Sequence, residues 1–170
     1  MFPAETARLL TDVYFFSGAK DGNLLEIAEK NYLKALALNN LDGPLYLSVA
    51  SFYARTGRPN KAQAFLFKVI EKYPYHQEYR RALAQLYAGL GRDKEAIQIL
   101  EAGNAFLKEY APLQPVRVAM LLDLARIYRK QGDVGRSDDL MAKARRLNGL
   151  LEGPPPPQGR EKNLNLPSPR

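Results

Sequence analysis

The sequence predicts an all-α fold: a solenoid of three to four helical hairpins, followed by an extended proline-rich C-terminal tail. Three observations carry that prediction. A phrase recurs, Tyr53-Ala54…Gly57…Ala62…Leu66 returning as Tyr87-Ala88…Gly91…Ala96…Leu100, and each step, such as Tyr53 to Tyr87, is 34 residues. A fixed period of this length marks stacked supersecondary units that bury their cores against neighbours. Within each copy the apolar residues recur at three- and four-residue spacing, the period of a helix face. After Leu151 the composition changes abruptly to Gly153-Pro154-Pro155-Pro156-Pro157-Gln158-Gly159.

The units follow in order. In the first, helix A contains Leu9, Leu10, Val13 and Phe16, and the loop Gly18–Asn23 is long for a hairpin turn. Its helix B holds Ala28, Tyr32 and Ala35, each 34 residues before Ala62, Leu66 and Val69. The second unit is the clearest. Pro44 to Thr56 reads as helix A, with Leu45, Tyr46, Val49, Phe52 and Tyr53 on one face. Gly57 stops it, since a left-handed conformation costs glycine nothing. Pro59 suits the first turn of the next helix, where its missing N–H would have had no partner. That helix runs from about Lys61 to Lys72, turning Ala62, Phe65, Leu66 and Val69 inward, and Tyr73-Pro74 ends it.

The third unit repeats the pattern with Leu83-Ala84, Tyr87, Gly91, Ala96 and Leu100, and a looser fourth supplies Leu124-Ala125, Tyr128, Gly132, Ser137 and Met141. From Tyr87 to Tyr128 is 41 residues, seven more than the period. Seven residues are about two helical turns. One extra turn on helix B and one on the following helix A, within Asn104–Val118, would return the chain to phase.

These positions resemble the tetratricopeptide repeat, a 34-residue helix–turn–helix unit. Tyr46, Val49-Ala50, Tyr53, Gly57, Ala62, Leu66 and Pro74 match its pattern. The next unit departs from it, with Arg80 in place of the early aromatic and Lys108 in place of the closing proline. The resemblance covers roughly residues 5–150 and implies a repeat domain over 1–151, with 152–170 as tail. It also implies a concave surface lined by helix A residues outside the packing pattern. Here those are Leu47, Ser51 and Arg55, then Arg81 and Gln85, then Leu122, Arg126 and Arg129.

Composition limits the function. The chain is 46% apolar, as folded proteins are, and has no apolar run long enough to span a bilayer. No secretory leader is visible, so the cytoplasm is the default compartment, with the periplasm open if the chain is trimmed. There are no cysteines, which removes disulfides and thiolate chemistry. The one histidine, His76, sits in a turn between helices, and no phosphate loop or ligand cluster appears, so neither catalysis nor a cofactor is expected. Net charge is +7, with residues 1–40 at −1 and residues 111–150 at +4. A basic surface attracts anionic partners.

The expected function is therefore that of a protein–protein interaction scaffold or adaptor of a multiprotein assembly. Its basic concave groove would take an acidic or carboxylate-bearing segment, since arginine forks orient carboxylates. Pro154, Pro155, Pro156 and Pro157 form a second candidate contact, because a preformed polyproline segment loses little entropy on docking. Two other readings stand beside it: a self-assembling structural subunit joined through repeat ends and tail, and a basic RNA-binding module.

Overall fold

Eight α-helices make up the described part of the computed structural model, which covers residues 3–16, 21–110 and 115–152. They are α1 Pro3–Phe16, α2 Gly22–Leu38, α3 Gly43–Arg55, α4 Pro59–Lys72, α5 Gln77–Gly89, α6 Asp93–Tyr110, α7 Pro115–Lys130 and α8 Val134–Glu152. No strand occurs among the described residues. The proline-rich tail, and with it Pro154–Pro157, lies outside them, as do Gly18, Ala19 and Lys20 of the first loop.

Local chemistry sets the helix ends. Asp42 accepts a hydrogen bond from the Leu45 backbone N–H at 2.9 Å, and Asp21 does the same for Asn23, satisfying donors that a helix N-terminus leaves unpaired. Each of the three central turns contains a glycine at positive φ, Gly57 (73°), Gly91 (75°) and Gly132 (84°). That left-handed conformation is where any other residue meets its Cβ penalty. The following N–H then closes the turn, Arg58 to the Tyr53 carbonyl and Arg92 to the Tyr87 carbonyl, both at 2.8 Å.

The helices pair as hairpins α1–α2, α3–α4, α5–α6 and α7–α8. Ala62, Ala96 and Ser137, all buried, stand where the two helices of a hairpin cross; a larger side chain there would hold the backbones apart. Tyr53 is buried between units and donates its hydroxyl to Glu29 of α2 at 2.8 Å, as Tyr128 does to Glu101 of α6 at 3.0 Å. The seven extra residues fall as expected. Helix α6 has 18 residues against 14 in α4, and α7 has 16 against 13 in α5.

The first unit packs through small residues of its helix A. The buried residues of α1 are Ala7 and Thr11, whereas Leu9 is 54% and Phe16 81% exposed. Ala7 and Thr11 are small enough to let α1 settle on α2, and Thr11 hides its hydroxyl by donating to the Ala7 carbonyl at 2.7 Å. The Leu9–Val13–Phe16 spacing is a true helix face, but not the one that packs.

Alternate helices differ in their neighbours. α1, α3, α5 and α7 touch one another in series, while α2, α4, α6 and α8 do not. The first set therefore lines the inner, concave side of the curve.

Candidate functional site, a concave groove

On the concave side, α3 and α5 run beside each other with small residues on their facing ridges. Ala50, Ser51 and Ala54 recur along one face of α3, and Ala82, Gln85 and Gly89 along one face of α5. Short side chains on both ridges leave a trough of about 740 Å³, closed at its walls by Leu47, Leu86 and Leu90. The lining is mainly apolar, with Ser51 and Gln85 as its polar points.

Three of the residues expected in the groove, Leu47, Ser51 and Gln85, meet in this trough. The others are distributed along the same face. Arg55 lines a smaller, more polar hollow between α1 and α3 with Asp12 and Ser51. There its Nη1 stands 3.5 Å from Asp12 Oδ1 and its guanidinium lies 4.1 Å from the Phe15 ring centre. Leu122, Arg126 and Arg129 line a third depression beside Ser137 and Met141. Arg129 donates to Asp138 at 2.8 Å.

The charge of the face is set by a residue the sequence did not single out. Asp123 of α7 is only 5% exposed. Its Oδ2 accepts from Arg81 Nε at 2.6 Å and from Gln85 Nε2 at 2.9 Å, while Oδ1 accepts from Arg126 Nη1 at 2.7 Å. One carboxylate thus holds two arginines and a glutamine from two helices. The local charge is a single net positive, carried outward by Arg126, whose side chain is 73% exposed. The only hint in the sequence was the spacing of Asp123 and Arg126, three residues apart on one helix face. Arg81, 42 positions earlier, comes within reach only through the α5–α7 contact. Ala50 and Ala54 stood out only as repeat positions, and Ala82 and Gly89 not at all, because a trough depends on which small residues come to face one another.

His76 is exposed and lies beside Glu78 at 3.8 Å, in the turn before α5. Among the described residues, no group of three or more His, Cys, Asp or Glu could hold a metal ion. None of the described helices is long and apolar enough to cross a membrane.

Solenoid, positive-φ glycine turns and inner groove are features in which the chain is similar to the tetratricopeptide-repeat proteins. The profile of that family, Tetratricopeptide repeat, matches residues 53–114, and over that span the chain carries the tetratricopeptide pattern. The fold is shared with MamA, at 17% identity and a TM-score of 0.59 over 85% of this chain and 78% of that one. It is shared with PilF of Pseudomonas aeruginosa, at 17% identity and a TM-score of 0.63, where 86% of this chain spans 61% of the other. YrrB, described as a tetratricopeptide protein with an unusual peptide-binding site, aligns at 17% identity and a TM-score of 0.55, over 85% of this chain and 68% of that one. No curated protein matches the chain in sequence. Tetratricopeptide arrays serve in general as protein–protein interaction scaffolds.

Proposed function

We propose that the chain is an adaptor that holds a partner protein's extended or helical segment in the concave groove between α3 and α5. The observation that carries this reading is the open apolar trough of about 740 Å³. A pocket of that kind, apolar with a few placed polar groups, suits a peptide whose apolar side chains fill it while its backbone meets Ser51 and Gln85. The arginines favour a carboxylate on the segment, through the exposed guanidinium of Arg126 and the net positive charge left after Asp123 is paired. Arg55 and Arg129, farther along the same face, are already paired with Asp12 and Asp138.

Affinity capture from source lysate tests this, with wild type beside Ser51→Trp and Arg126→Ala. Both positions are exposed, so neither change should disturb the core. A protein retained by wild type and lost from Ser51→Trp would be the groove partner, and weakened retention by Arg126→Ala would place its carboxylate. Equal retention by all three would remove the groove from the binding surface.

One observation favours the second reading, a self-assembling subunit. Leu9 and Phe16 are exposed apolar residues along α1, and exposed apolar surface of this kind marks contact surfaces. Sedimentation over a range of concentrations checks it: a mass rising with concentration and held down by Phe16→Ser supports assembly, and a constant monomer mass ends it. An RNA-binding module draws less support, because Arg55, Arg81, Arg126 and Arg129 are each paired with a carboxylate.

A further inference from the structure

We propose a second docking site, away from the groove: Pro154–Pro157 of this chain bind the aromatic cleft formed by Tyr75, Phe106 and Tyr110. Tyr75 belongs to the turn before α5, and the other two stand one turn apart on the elongated end of α6. The rings form a ladder, Tyr75 to Phe106 at 6.4 Å and nearly parallel, Phe106 to Tyr110 at 4.9 Å. Yet the outer two rings are 77% and 67% exposed. Hollows of about 450 and 380 Å³ flank Phe106, one running to Pro74 and Arg80, the other to Val116.

Polyproline ligands use aromatic-lined grooves of this form, because ring faces pack on pyrrolidine rings and the ligand is already extended. A proline run offers carbonyl acceptors and no N–H, so its site must supply donors. Among the described residues the hydroxyls of Tyr75 and Tyr110 have no partner and are free to donate. In a polyproline helix, residues three apart share a face and stand about 9 Å from each other. Pro154 and Pro157 therefore present two rings to the two slots of the ladder.

The topology delivers the segment to the place. Helices alternate in direction, so the α4–α5 connector, the C-terminus of α6, the N-terminus of α7 and the C-terminus of α8 share one edge of the solenoid. α8 packs along α7 and ends at Glu152, near the α7 N-terminus whose Val116 walls one hollow. Packed helices lie about 8–10 Å apart, and the residues following Glu152 reach that far at about 3.1 Å each. Charge agrees, with Arg160 and Lys162 following the prolines while Glu78 lines the hollow between Phe106 and Val116. So short a tether gives an effective concentration on the order of millimolar, at which even a weak contact is occupied.

The absence of cysteine allows a clean test on the full chain. A nitroxide is attached at Asn163→Cys and the amide signals of an isotope-labelled sample are followed. Intensity should be lost around Tyr75, Phe106 and Tyr110. It should return when Pro154, Pro155, Pro156 and Pro157 are all replaced by serine, and equally in Tyr75→Ser/Tyr110→Ser, whose exposed side chains are not part of the core. Mixing spin-labelled with separately isotope-labelled chains should cause no loss. Loss centred on α3 and α5, loss unchanged in the four-serine variant, or loss around the same rings in the mixed sample would each overturn the proposal, the last by assigning the occupant to a second copy.

Discussion

At the scale of residues, polar contacts join the units beside the apolar ones. Glu29 accepts from Tyr53, Lys61 and Arg58. Burial pushes its carboxyl up, but these three donors outweigh that and hold it below its ordinary value. Tyr53 moves the other way. Burial and its bond to Glu29 push the phenol up from 10.0 to about 12, and burial likewise raises Tyr32, Tyr79 and Tyr128. For a raised phenol, folded and unfolded chains are both protonated below the unfolded value. Between pH 10 and about 12 the unfolded chain releases the proton while Tyr53 in the folded chain keeps it, so stability falls across that window. Denaturation midpoints measured at increasing pH should therefore decline above about pH 10, and less steeply in Tyr53→Phe; an identical slope would assign the loss to other groups. Asp123 gives a second residue-scale expectation. Asp123→Asn leaves Arg81 without its charge partner and should cost about 2 kcal/mol, the range of a hydrogen bond to a charged group. Arg126→Ala, removing an exposed pair, should change stability by less than about 1 kcal/mol. Urea unfolding of the two variants checks the contrast.

At the scale of elements, each hairpin depends on a close crossing and a left-handed glycine. Ala96 has no exposed surface where α6 crosses α5. Ala96→Leu should therefore overpack the hairpin and cost about 1–3 kcal/mol by thermal or chemical denaturation, with Ala96→Ser tolerated because Ser137 fills the equivalent place in the last unit. The hairpins were legible in the sequence because 3.6-residue periodicity, glycine stops and proline starts are local signals. The seven-residue excess was legible for a related reason: only whole turns keep the apolar face inward, which required one on α6 and one on α7. The packing face of α1 was not. Leu9, Val13 and Phe16 have the correct spacing, but which of two faces packs depends on the fit of Ala7 and Thr11 against α2, a comparison that spacing cannot make.

At the scale of the molecule, the solenoid has no single centre, since contacts run between successive helices and alternate inner ones. Its stability is then close to a sum of unit and interface contributions, and units with one neighbour open before units with two. Amide hydrogen exchange should be slowest in α3–α6 and faster in α1–α2, whose outer face carries the exposed Leu9 and Phe16. Uniform protection from α1 to α8 would show instead that the array unfolds as one unit. The same arrangement separates two surfaces, the apolar trough on the inner side and the aromatic ladder at the connector edge, so that occupancy of one leaves the other open.

The sequence by itself determined the fold class, the repeat period and the positions of the turns. These follow from local periodicity and backbone preference, which act within a turn or two of helix. Only the tertiary structure decided what the inner face is. Ala50, Ala54, Ala82 and Gly89 become a trough when two helices from different units lie side by side. Arg81 and Arg126 become partners of Asp123 across two units. Volume and charge pairing are properties of groups brought together over distances in sequence that no local pattern records.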